Sequence, residues 1–114
     1  MASDPENDIP VEISFRARPA SDKLRDECLG LFSKLTKRHP RIVSGRVVLE
    51  NAAHLRSLQR GFDVHIHLLV PQGEVNVKRE AAQHPDETDP NLTLRKSFET
   101  ALRQLDDLTQ KRRG

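Results

Sequence analysis

Two apolar rhythms take turns along the chain. Val11, Ile13 and Phe15 alternate with Glu12, Ser14 and Arg16, the two-residue period of a half-buried strand. From Leu24 the spacing changes to three and four. Leu24, Cys28, Leu31, Phe32 and Leu35 form one stripe of an amphipathic helix. Ser21 is placed to cap that helix, with Asp22, Asp26 and Glu27 near its positive end. Lys34, Lys37 and Arg38 crowd its negative end, and Pro40 stops it. A second strand follows from about Ile42 to Asn51, in which Gly45 predicts a bulge or a bend. Residues 52–60 have no strong period and read as a connection, with Leu55 and Leu58 covering an edge of the core. The third strand is the clearest element: Phe62, Val64, Ile66, Leu68 and Val70 alternate with Asp63, His65, His67 and Leu69. Pro71-Gln72-Gly73 is a hairpin turn, and Glu74 to Glu80 is a fourth strand with Val75 and Val77 inward. Residues 81–90 are polar and predict a mobile loop. Asp89-Pro90 then opens a last helix as cap and first helical residue. Its stripe is Leu94, Phe98, Ala101, Leu102, Leu105 and Leu108, and it frays into Lys111-Arg112-Arg113.

This order, β-α-β-β-β-α, predicts an α+β fold. Strands two to four form an antiparallel meander. The first strand reaches the second through a helix, so those two are parallel with a right-handed crossover. Each helix has one apolar stripe and each strand mainly one apolar face. All of them are buried if both helices pack on one face of a four-stranded mixed sheet. Residues 1–10 lack periodicity and read as a disordered acidic tail, leaving 11–114 as a single domain.

Charge distribution adds a functional hint. The apolar share is 35% and the charged share 32%, so the core is lean and the surface wet. Net charge is only +2, but residues 1–20 and 80–92 are net acidic, while residues 21–79 and 93–114 carry a basic excess. Lys23, Arg25, Lys34, Lys37, Arg38, Arg41 and Arg46 fall mostly outside the packed face. This asymmetry suits a polyanion, with RNA the first candidate. Four Phe and no Trp or Tyr argue against base stacking as the main recognition device. Cys28 is the only cysteine, so no disulfide forms within the chain; it reads as a small buried hydrophobe in a reducing compartment. No apolar run suffices for a membrane span, and the acidic N-terminus is neither signal nor transit peptide. The expectation is a cytoplasmic protein that uses no membrane.

Catalytic and metal chemistry find little support. His65-x-His67 has a spacing that can hold zinc, but a third ligand would have to come from His54 or Asp63, and nothing fixes either nearby. The two histidines read as polar residues on the helix-free face of the sheet, and His39 as a helix C-terminal cap. There is no glycine-rich phosphate loop, nucleophile elbow or Cys-His pair. We expect no enzyme activity, metal or cofactor.

The ordered motifs resemble a family. Leu24-Arg25 early in the helix, Phe32-Ser33-Lys34-Leu35 near its end, and Arg41-Ile42 followed by Val47-Val48-Leu49 resemble the bacterial ribosome hibernation factors. These are hibernation-promoting factor and ribosome-associated inhibitor A. Gly73-Glu74 at the hairpin and Arg103-Gln104-Leu105 in the closing helix match as well. The resemblance covers about residues 11–80 and 91–112. The chain departs from the pattern in its longer acidic loop at 81–90 and in Thr93-Leu94-Arg95 after it. It looks like a short form, without the second domain that pairs ribosomes. The resemblance implies a factor that binds the small ribosomal subunit and its rRNA near the decoding region, silencing translation under stress or in stationary phase. By position it implies RNA contacts from Arg25, Lys34, Lys37, Arg38 and Arg41, from Lys78 and Arg79, and from Arg103, Lys111, Arg112 and Arg113.

Two other readings compete. One is a protein-interaction module that uses the sheet face or an edge, with a weak homodimer as its simplest form. The other is a general structured-RNA binder, since double-stranded-RNA domains share an α-β-β-β-α core. An extra strand before the first helix and the lack of a lysine-rich helix start count against the latter.

Overall fold

The computed structural model describes residues 9–16, 19–51, 62–84 and 89–113, with the side chains of residues 51, 82 and 111–113 outside it. The elements follow in the order β1 (Val11–Arg16), α1 (Asp22–Arg38), β2 (Ser44–Asn51), β3 (Phe62–Val70), β4 (Gly73–Arg79) and α2 (Pro90–Arg113). They build an α+β fold with a single four-stranded mixed sheet in the order β1-β2-β3-β4. β1 pairs with β2 in parallel, from Val11 opposite Gly45 to Arg16 opposite Glu50. β2, β3 and β4 form the antiparallel meander, with Val47 opposite Ile66 and Ile66 opposite Val77.

Strand parity decides which face is dry. Val47 and Leu49, Val64, Ile66 and Leu68, and Val75 and Val77 are buried and lie in adjacent register. They meet Leu24, Cys28, Phe32 and Leu35 of α1 and Leu94, Phe98, Ala101 and Leu105 of α2 in one core. Both helices therefore cover the same side of the sheet, and among the described residues no helix covers the other side. At about 1.5–3 kcal/mol for each large side chain, this burial drives the collapse against chain entropy.

Local chemistry sets the element ends. Ser21 Oγ accepts a hydrogen bond from the Leu24 N–H at 3.2 Å, and Asp89 Oδ1 accepts one from the Asn91 N–H at 3.0 Å. His39 closes α1 by donating its backbone N–H to the Leu35 carbonyl. At the β3–β4 turn Gly73 has a φ of 147°, a conformation that side-chain-bearing residues rarely adopt.

Three local expectations change. Gly45 is no bulge: the β2–β3 register runs through it without interruption, and the β1–β2 register begins at it. Its missing side chain instead admits the Phe32 ring, which a Cβ at Gly45 would strike. The predicted loop at 81–90 begins as a 3-10 turn, Ala81–Gln83, held by the Ala81 N–H donating to Asp63 Oδ1 at 2.9 Å. β2 starts at Ser44 rather than Ile42, although Ile42 is buried in the preceding turn. Of the predicted acidic tail, residues 1–8 lie outside the described residues. Ile9 packs against the core, and the Pro10 carbonyl accepts from the Gly45 N–H at 3.0 Å. The predicted connection with His54, Leu55 and Leu58 also lies outside the described residues.

Candidate nucleic-acid interface

The basic side chains divide between the two sides of the sheet and one end of the helix layer. On α1 the apolar stripe faces inward, which leaves Lys34 and Lys37 exposed. Arg41, in the turn after the helix, and Arg103, on α2, are exposed as well. None of these four makes an ion pair among the described residues. Their charges are available to solvent or to a polyanion.

The end of the helix layer joins two basic stretches that are far apart in sequence. Arg38, His39, Pro40, Arg41 and Ile42 line a hollow together with Gln72 and Thr109. Thr109 lies one turn before Arg113, so the last turn of α2 continues from this hollow. The carbonyl-rich ends of both helices therefore point to the same end of the molecule, where cations are favoured.

Not every predicted contact residue is free to take part. Arg38 makes a two-pronged ion pair with Asp106 of α2, Nε to Oδ1 and Nη2 to Oδ2, both at 3.1 Å. His39 Nε2 lies 2.8 Å from the same Oδ1. Burial raises the Asp106 pKa, but hydrogen bonds and charge from Arg38 and His39 outweigh it and hold the carboxyl below its ordinary value. Arg25 is half-buried, with its guanidinium 5.5 Å from the centre of the Phe15 ring. Lys78 and Arg79 are neighbours on β4 and so point to opposite sides of the sheet. Lys78 reaches Glu80 at 3.5 Å on the helix-free side. Arg79 shares the parity of buried Val75 and Val77 and lies 3.4 Å from His84 Nδ1.

The helix-free side carries cations outside the predicted set. A basin of about 520 Å³ is lined by Arg16, Arg46, Asp63, His65, His67 and Lys78, among others. Acids share this face: Arg46 Nε is 3.1 Å from Glu12 Oε1, and His67 Nε2 is 2.7 Å from Glu74 Oε1. The strand alternation marks Arg16 and Arg46, since each has the parity opposite to the core-facing apolar residues of its strand, although Val48 shares the parity of Arg46 and lines the same basin. No group of three metal-ligating side chains is assembled among the described residues. Cys28 is buried, and that burial, reinforced by the Glu27 charge and offset by Arg25, pushes its thiol up to about 12. No helix among the described residues is long and apolar enough to cross a membrane.

No sequence-family model and no curated protein matches this chain. Solved structures do. The N-terminal domain of protein Y from Thermus thermophilus aligns at a TM-score of 0.64 with 16% identity, over 84% of this chain and 94% of that one. A ribosomal subunit interface protein from Coxiella burnetii aligns at 0.60 with 12% identity, over 93% of this chain and all of that one. The chain has the fold of these two proteins along nearly its whole length.

Proposed function

We propose that this protein is a ribosome-associated factor of the hibernation type. It binds the small ribosomal subunit through rRNA near the decoding region and silences translation under stress or in stationary phase. The observation that carries this reading is the fold shared, over 93% of this chain, with a protein described as a ribosomal subunit interface protein. The cationic end of the helix layer supports it. Lys34, Lys37 and Arg41 are exposed at the C-terminal end of α1 and in the turn after it, and Arg41 shares a hollow with Thr109 of α2, on a rigid body that can be matched to folded RNA. Structured RNA is recognised through backbone and shape more than through base edges, which suits long cationic side chains in a chain without Trp or Tyr. Arg103, exposed on α2, adds a further cation to the helix layer, whereas Lys78 lies on the other side of the sheet.

The test is co-sedimentation with purified small subunits across a salt series. Binding at low salt that falls steeply as salt rises is expected, since phosphate contacts release counterions. Absence of co-sedimentation at low salt would overturn the reading.

A further inference from the structure

β1 ends the sheet, and no described element pairs with its outer side. The Pro10 carbonyl accepts from the Gly45 N–H of β2. Alternate residues of a parallel ladder turn to the partner strand, so Glu12, Ser14 and Arg16 direct their backbone groups toward β2. Val11, Ile13 and Phe15 direct theirs outward. These three side chains are only partly buried. Leu29, one turn after Arg25 on the side of α1 that overhangs Phe15, is 46% exposed. Edge strands are usually guarded by Lys, Pro or a bulge. Val11–Arg16 contains no Lys or Pro and keeps unbroken register.

The strand is also complementary to itself. Two copies set antiparallel about Ser14 place Ile13 opposite Phe15 of the second copy, and Glu12 opposite its Arg16. The outward-facing residues then fall in the hydrogen-bonded pairs, giving about four backbone bonds across the seam. The opposite charges fall in the non-hydrogen-bonded pairs, where side chains approach more closely, and Glu12 there divides its carboxylate between Arg46 of its own chain and Arg16 of the second copy. A shift by one residue puts the backbone groups out of phase. A shift by two in one direction sets Glu12 against Ser14 and Arg16 against Pro10; in the other it sets Arg16 against Ser14 and takes Glu12 beyond the six residues of the strand.

We propose that β1 is a self-association edge: two copies of this chain pair their Val11–Arg16 strands antiparallel about Ser14 and continue one sheet into the other. A six-residue edge is a small interface, so the dimer is weak and forms at high chain concentration. The pairing involves no RNA and stands apart from the ribosome reading.

Sedimentation of the full chain up to about 1 mM, where weak contacts populate, should show mass rising toward twice that of one chain. Ser14→Lys sets two ammonium groups face to face and should weaken the dimer at least ~tenfold. Ser14→Cys provides a register test. Non-hydrogen-bonded partners have Cα atoms about 4.5 Å apart, within the range a disulfide spans. Mild oxidation should therefore give a covalent dimer of Ser14→Cys, while Glu12→Cys, which faces residue 16, should not crosslink. Buried Cys28 stays reduced in both. The proposal fails if the chain stays monomeric throughout, if a folded Ser14→Lys dimerises like the parent, or if Ser14→Cys crosslinks no faster than Glu12→Cys. Should Ser14→Lys not fold, the crosslinking pair decides.

Discussion

Arg38 and Asp106 join the C-terminal end of α1 to α2 through two parallel hydrogen bonds, each 3.1 Å long. His39 brings a third donor-capable atom to the same carboxylate. The pair has two consequences. It fixes how the helices lie against each other over the sheet. It also removes Arg38 from the cations that a polyanion can draw on without cost.

Asp106→Ala should destabilise the fold by about 1 kcal/mol. The figure is held near the value for exposed pairs because the Arg38 side chain is 60% exposed. Chemical denaturation at neutral pH measures it. Arg38→Ala should cost a similar amount, and the double variant should cost less than the sum of the two, since both changes remove one interaction.

The same carboxylate predicts a pH dependence with a definite sign. Its pKa is lowered in the folded protein from the ordinary value of 3.8. Its contribution is therefore complete above 3.8 and is lost as pH falls through the lower folded value. The stability gap between the parent and Asp106→Asn should be widest near pH 6 and close toward pH 2. A gap that stays constant over this range would show that ionised Asp106 is not what stabilises the contact.

Gly45 and Phe32 form a second coupled pair. The Phe32 ring occupies the space where a side chain at Gly45 would stand, with Leu68 Cδ2 close behind. Gly45→Ala should cost about 1–3 kcal/mol by overpacking, read as a lower denaturation midpoint with an unchanged slope. Adding Phe32→Leu should return part of the loss.

These pairs mark where reading the sequence succeeds and where it stops. Strand and helix periods follow from burial of one face, so the element order, the meander and the parallel β1–β2 pair were legible from the spacing of Val, Ile, Leu and Phe. Gly45 was legible as exceptional but not in kind. Glycine fits both a bulge and a close approach, and only the position of Phe32 across the core separates them. The site was less legible. A run such as Lys34-Leu35-Thr36-Lys37-Arg38 shows charge but not which partner a helix neighbour supplies, and Asp106 is 68 residues from Arg38. Lys78 and Arg79 adjoin in sequence and so read as one site, although strand parity sends adjacent residues to opposite sides. Parity also marks Arg16 and Arg46 for the helix-free face.

Cys28 offers an internal reporter of opening. It is 1% exposed, and a thiol pushed up to about 12 from 9.0 carries roughly a thousandfold less thiolate at neutral pH than an ordinary one. Thiol reagents should react with the native chain only through unfolding. Labelling should therefore slow in step with added stability and accelerate in Asp106→Ala. Rapid labelling of the folded protein at pH 8 would contradict the buried environment.

The division of cations between the two sides of the sheet makes the RNA reading directional. If the end of the helix layer contacts phosphate, Lys34→Glu with Lys37→Glu should weaken small-subunit binding by at least ~tenfold. Each lost phosphate contact should also lower the slope of log affinity against log salt by about one. Both side chains are exposed and without ion pairs among the described residues, so stability should change by only about 0.5 kcal/mol or less. Lys78→Glu, on the opposite side, should leave binding within about twofold, and its circular dichroism and denaturation midpoint should match the parent. Because Arg38 is already engaged by Asp106, Arg38→Glu is a poor probe: it places two carboxylates together and destabilises the helix pair before any RNA is met. Comparable losses from Lys78→Glu and from the Lys34–Lys37 pair would mean that phosphate reaches both sides of the sheet, and that the helix end is not the dominant contact.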